Sequence, residues 1–310
     1  LNRIAECDDK ETREERREAI QTLKAISRLN SKYSKEYETA IHQVESDLRE
    51  ENICLVNDCQ LDEDQAAFVR RFYYKQLDGY IAPVWFSALK DLNNEPDDCI
   101  YLAVKMRKQT DKTHPEYALL QLPVNLVGRF VQLPSRGNQH FIMYIDDVVR
   151  CTLPLIFAGL NYTIFEAYAF KFTQDAEMEI DNDLRNGLLQ KISKGVKSRK
   201  CGQAMRVIYD AHMPKDVLKR VLGKLNIDKL DTELASGRYQ NHRDLMKFPD
   251  CGRTDLKYPQ WTPILKPELT GEGSILEAIR KKDRFIHVPY HDFASYIRLL
   301  QEAAIHKEVK

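Results

Sequence analysis

The chain has 310 residues, with 47 Lys plus Arg against 47 Asp plus Glu, and therefore no formal net charge. That balance excludes a generic nucleic-acid coat or a polybasic membrane adhesin, while 43% hydrophobic and 30% charged residues with only 12 Gly and 12 Pro describe a folded globular protein. No apolar run approaches the roughly 20 residues that cross a bilayer, and the charged stretch Leu1 to Lys10 has no signal-peptide core, so a cytoplasmic protein without a transmembrane segment is expected.

From Glu11 to Glu51 there is no Gly or Pro, and apolar residues recur at Ile20, Leu23, Ile26, Leu29, Tyr33, Tyr37, Ile41, Val44 and Leu48, about every 3.5 residues. The spacing predicts a long helix with a narrow seam, packed on a second helix or across a dimer. Asp62 to Asp64 forms an acidic start for an amphipathic helix carrying Ala66, Phe68, Val69, Phe72 and Tyr73, ended by Gly79 and Pro83. Runs at Tyr101–Lys105, Tyr117–Leu122, Arg129–Leu133 and His140–Tyr144 read as strands of one sheet. Ile145–Phe157 reads as a helix despite Pro154, Phe165–Thr173 as a strand, Asp181–Lys200 as a helix, Met205–Tyr209 as a strand and Pro214–Leu225 as a helix with its proline in the first turn. Phe248 to Gly273 is rich in Pro and Gly and reads as a linker. Arg284–Val288 and Phe293–Ala304 follow as a strand and a helix that open a further domain, with Phe293, Tyr296, Ile297, Leu300 and Ala304 on one exposed face. The chain begins at Leu and ends in a helical pattern, which predicts a piece of a longer protein. The fold class expected is α+β.

Familiar catalytic signatures are absent: there is no P-loop, dinucleotide fingerprint, zincin or nucleophile-elbow pattern. The seven cysteines are scattered, without C-x-x-C spacing, and read as reduced thiols. Lys191, Lys194, Lys197, Arg199 and Lys200 crowd a helix end, where they either bind phosphate or complement the helix dipole from solvent. Asp175, Glu177, Glu179 and Asp181 serve as an acidic helix approach more readily than as a metal site. His287, Tyr290 and His291 sit in the turn between the last strand and helix, where open α/β sheets bind ligands and where surface or capping histidines also occur. Phe72, Tyr73, Tyr74, Tyr80, Trp85 and Phe86 read as core rather than as a base-stacking platform.

Six segments in order carry a resemblance: Arg129-Phe-Val-Gln-Leu-Pro134, Asp146-Asp-Val-Val-Arg150, Glu166 to Glu177, Asp210-Ala-His-Met-Pro214, Gly237 to Pro249 and Arg284 to Phe293. From about Glu51 to Ala304 the chain resembles bacterial polyphosphate kinase of the long, phospholipase-D-related form. The resemblance implies the end of an N-terminal helical domain (1–54), a head domain (55–265), and a linker with the first βα unit of a phospholipase-D-like domain (266–310). For the intact enzyme it implies reversible transfer of the terminal phosphate of ATP to inorganic polyphosphate, through a phosphohistidine and with magnesium. It implies that the nucleophilic histidine, its partner and the metal site lie outside this chain, so that no catalytic residue is carried onto a position here. What it leaves to this chain is homodimer contacts and one wall of a polyphosphate channel, peripheral to the membrane at most, with Lys191, Lys194, Lys197, Arg199, Lys200 and Arg238 as candidate contacts. The competing reading is a non-catalytic polyanion-binding or dimerisation module; a nucleic-acid partner is not expected from a neutral chain.

Overall fold

In the computed structural model, the long Gly- and Pro-free segment forms one helix, α1, spanning Lys10–Glu50. Residues 10–93, 95–96, 99–110, 113–174, 204–226, 232–271, 273–307 and 309 are described. They fall into two compact units, Leu1–Cys251 and Gly252–Lys310. The expected helix at 181–200 and the cations and carboxylates between 175 and 200 lie outside the described residues.

In the first unit, α1 leads into β1 (Ile53–Val56) and α2 (Glu63–Phe72). Asp62 caps α2 by accepting from Gln65 N, and the Gln65 side chain answers on the Asp62 N–H, a capping box that satisfies two otherwise orphaned donors. The helix continues as a wider turn through Tyr73–Leu77. Then come β2 (Val84–Trp85), β3 (Tyr101–Lys108), β4 (Glu116–Gln121), β5 (Phe130–Arg136), β6 (Gln139–Tyr144), α3 (Ile145–Ile156), β7 (Tyr162–Gln174), β8 (Ala204–Asp210), α4 (Lys215–Leu225) and β9 (Thr232–Ser236).

The strands form two sheets rather than the single sheet expected. One has the order β1-β6-β5, with β1 parallel to β6; the other runs β2-β4-β3-β7-β8-β9. Strand β8, helix α4 and the parallel β9 make a crossover unit, since a parallel partner requires such a connection. The break between the sheets falls after β4, where Gly128, at φ +83°, turns the chain through a conformation that a side chain disfavours. Sequence alternation reports that a strand exists, not which neighbour it joins.

Strand β3 is buried on both faces. Leu102, Val104 and Met106 enter a core with Val69, Leu77, Leu120, Val131, Met143, Val148, Val149 and Leu153, from α2 and the turn that extends it, α3, the small sheet and neighbouring β4. Tyr101 and Ala103 enter a second core with Phe170, Phe172, Val207 and the Val217, Val221 and Leu225 stripe of α4. This explains the nearly continuous apolar run of β3, the pattern of a strand covered on both sides.

Helix α1 packs against β1 and β9, not against the second helix that its seam suggested. Ile41 and Leu48 are half-buried, while Ile26, Leu29, Tyr33 and Val44 remain exposed. A period of about 3.5 defines an apolar stripe but not its partner. Among the expected core aromatics, Tyr73 and Phe86 are buried, whereas Tyr74 and Tyr80 are 60% and 67% exposed.

The second unit contains a turn of helix at Pro267–Thr270, then α5 (Ile275–Lys281) and α6 (Ala294–Ile305). The expected strand at 284–288 is not formed: the backbone there has no ladder partner, and pairing is confined to a bridge between Ile264 and His291. The α6 face of Phe293, Tyr296, Ile297, Leu300 and Ala304 is exposed, as expected.

Candidate functional site

The segments Arg129 to Pro134, Asp146 to Arg150 and Gly237 to Pro249, far apart in sequence, converge on one buried ionic junction. Arg129 precedes β5, Asp146, Asp147 and Arg150 lie on the first turns of α3, and Arg238 to Gln240 follow β9. Asp146 and Asp147 are completely buried, Arg129 nearly so. The Asp147 Oδ1 atom accepts from Arg150 Nη1 and Arg238 Nη2, both at 2.7 Å, and Oδ2 accepts from the Tyr239 hydroxyl at 2.5 Å. Arg238 also reaches Asp58 Oδ1, just beyond β1, at 2.5 Å.

Beside this hub, Arg129 pairs with Asp146 (Nη1 to Oδ2, 2.7 Å) and donates to the Gln240 carbonyl at 3.0 Å. Its guanidinium lies over the Tyr144 ring, and Tyr144 stacks on Tyr239 at 3.9 Å between centroids. Asp244 closes the group at 3.6 Å from Arg129 Nε. The junction therefore ties β1, β5 and α3 to the segment leaving β9, and so joins the small sheet to the edge of the large one.

The electrostatics follow from burial. Desolvation raises the Asp146 carboxyl above its ordinary value, opposed by Arg129 and then Arg150. Burial alone would lower Arg238, but the Asp147 and Asp58 carboxylates beside it raise its guanidinium above the usual range. Tyr239 is raised by burial and by Asp147, to which its hydroxyl donates. The carboxylates and guanidiniums hold their charges against one another, so the junction binds its own segments together rather than presenting a nucleophile. Its chemistry is positional. Cys151, pushed up to about 12 by burial and then by Asp58, is likewise not a reactive thiolate. Cys54, Cys59, Cys99, Cys151 and Cys251 are free thiols.

Over the junction opens a cleft of about 300 Å³, walled by Glu38, His42, Glu45 and Arg49 of α1, by Leu55 to Asn57, and by Arg238, Tyr239 and His242. Carboxylates and cations alternate around it, so it is not a funnel for anions. Arg238, a candidate polyphosphate contact, lines this cleft with 38% of its side chain exposed and two carboxylates already on its guanidinium. Lys191, Lys194, Lys197, Arg199 and Lys200 lie outside the described residues. Among the described residues, no three His, Cys, Asp or Glu side chains converge as a metal site.

In the second unit, the His291 Nδ1 atom accepts from the His287 N–H at 2.9 Å and the His291 N–H donates to the His287 carbonyl at 2.8 Å. The His287 and Tyr290 rings are 5.0 Å apart and exposed, with Trp261 edge-on to Tyr290. His291 therefore closes its own turn, and His287 and Tyr290 face outward beside it.

The family model described as "Polyphosphate kinase middle domain" matches residues 64–248, more than half of the chain. This chain belongs to the polyphosphate kinase family. Polyphosphate kinase from Vibrio vulnificus (strain YJ016) is 30% identical over 286 residues, covering 91% of this chain and 40% of that protein. Polyphosphate kinase from Escherichia coli (strain K12) is 29% identical over 286 residues, covering 90% and 41%. The crystal structure of polyphosphate kinase from Porphyromonas gingivalis superposes with a TM-score of 0.67 at 26% identity, over 93% of this chain and 41% of that one. The chain thus spans about two fifths of the length of these relatives. Its ionic junction lies within or next to the matched middle domain: Arg129, Asp146, Asp147, Arg150, Arg238, Tyr239 and Asp244 fall inside it, and Asp58 just before it. No helix of the described residues is long and apolar enough to cross a membrane.

The sequence points to Arg129–Pro134, Asp146–Arg150 and Gly237–Pro249 but not to Asp58, and among the junction residues gives a role only to Arg238. Charged residues at the start of a helix normally face water; nothing in one sequence marks Asp146 and Asp147 as buried. The available signal was that segments with unexplained charges recur together in the resemblance.

Proposed function

We propose that this chain is the structural middle of a polyphosphate kinase that transfers the terminal phosphate of ATP to inorganic polyphosphate through a phosphohistidine. The reading rests on one observation: 91% of the chain aligns with proteins named polyphosphate kinase, and the aligned part is about two fifths of them. Residues 1–54 are the end of a helical domain, 55–265 the head and 266–310 a linker and the first unit of a phospholipase-D-like domain. Magnesium belongs to the intact enzyme, where it would neutralise charge on the transferring group, at a site we place outside this chain. What the chain's own residues do is hold two sheets and α1 in fixed relation. The exposed Ile26, Leu29 and Tyr33 stripe of α1 offers an apolar surface to a second copy in a homodimer.

The test is phosphoenzyme formation. Incubated with ATP labelled in its terminal phosphate, the chain extended to the length of its relatives acquires acid-labile, base-stable phosphate, and the 310-residue chain acquires none. Acid-labile phosphate on the short chain would place a nucleophilic histidine within it and overturn the reading.

A further inference from the structure

A second cleft, of about 550 Å³, opens in the first unit between α4, the start of β4 and the segment after β2. Its lining carries Lys90, Lys219, Arg220 and Lys224, against one carboxylate among the described lining residues, Glu116. That carboxylate lies beside the Tyr162 hydroxyl, whose ionisation is disfavoured by burial and then by Glu116. The nearby Asp216 is matched by Lys105 at 2.7 Å and by the Tyr117 hydroxyl at 2.7 Å. Arg220 is held over the Tyr117 ring, 4.1 Å from its centroid, and Lys224 Nζ donates to the uncharged Leu89 carbonyl. Among the described residues, Lys90 and Lys219 are exposed and have no carboxylate partner. Four cations thus surround one cleft, without matching acids, in a chain whose net charge is zero.

The layout selects the ligand. Lys219 and Gly223, and Arg220 and Lys224, are pairs one helical turn apart, about 6 Å along α4. Gly223 leaves the wall between them bare, since a Cβ there would meet nothing within 4 Å. Four cations around one cleft match a ligand that carries several charges better than a lone phosphate or carboxylate. The aromatic rings offer no stacking surface for a base: Arg220 covers Tyr117, and Trp85 packs on Phe157 and Tyr162.

We propose that this cleft binds inorganic oligophosphate, as an anchoring site for a phosphate chain. The ligand class rests on the kinase reading; the site does not, because nothing in that reading places a contact at α4.

The test is equilibrium binding of a short-chain inorganic polyphosphate to the 310-residue chain across a salt series. The double variant Lys90→Gln/Lys219→Gln is compared with Lys75→Gln/Lys247→Gln, which removes the same charge from exposed positions elsewhere. We expect the cleft variant to bind about tenfold more weakly and its log–log salt slope to fall by about 2, one per lysine, while the control changes little. Lys90→Arg/Lys219→Arg should retain binding. Equal losses in both Gln variants would reduce the effect to diffuse charge and overturn the proposal. Undiminished binding by the cleft variant, no binding by the unaltered chain, or equally tight binding of single-stranded DNA would overturn it too. Phosphoenzyme formation by the extended protein is read separately, so failure of the cleft leaves the kinase reading standing.

Discussion

Asp147 has the largest share of the junction. One buried carboxylate accepts two guanidinium donors and a phenol, so neutralising it leaves Arg150 and Arg238 without their counter-charge. Removing one member of a buried ion group costs about 3–5 kcal/mol, because the partner's charge stays desolvated. We therefore expect Asp147→Asn to lower the urea midpoint of the first unit by an amount equivalent to roughly 3 kcal/mol at unchanged m-value, whereas Arg136→Gln, at a largely exposed pair with Asp62 in the same unit, stays within about 0.5 kcal/mol. An Asp147→Asn midpoint equal to that of the unaltered chain would show that the junction does not hold the sheets. The residue scale is also where the sequence was least legible. Arg238 was singled out as a free cation for a polyanion, yet it carries Asp58 and Asp147, which lie 180 and 91 positions away in the chain. No local pattern announces such a pairing.

Elements were legible where local physics decides them. The missing Gly and Pro in α1, the acidic cap of α2, Pro214 before α4 and the two-sided apolar run of β3 each left a local mark, and each element stands within a few residues of its expected bounds. What failed was partnership within the chain: α1 met β1 and β9 rather than a second helix of its own chain, the strands divided between two sheets, and 284–288 found no neighbour to become a strand. A periodic stripe marks which face is apolar, whereas long-range pairing decides how much of it is buried and against what. The exposed part of the α1 stripe gives a prediction at this scale. If it seats a second copy, Leu29→Lys/Tyr33→Lys, both exposed in the chain, will shift sedimentation from dimer towards monomer without lowering helicity. A double variant that sediments as the unaltered chain would remove α1 from the interface.

At the scale of the whole molecule, the family assignment and the architecture agree. A middle domain matched over 64–248 sits in a unit whose junction carboxylates and guanidiniums pair with one another, and which carries a cationic cleft beside α4. Under the proposed reading, such a unit positions other parts and guides a charged ligand. The central claim is that polyphosphate synthesis belongs to the longer protein and that this chain supplies its frame. The most direct measurement is ATP-dependent synthesis of inorganic polyphosphate by the 310-residue chain and by the same chain extended to the length of its relatives, at equal molar concentration. We predict synthesis by the extended protein and none by the short chain. Synthesis by the short chain, or by neither, would contradict the account.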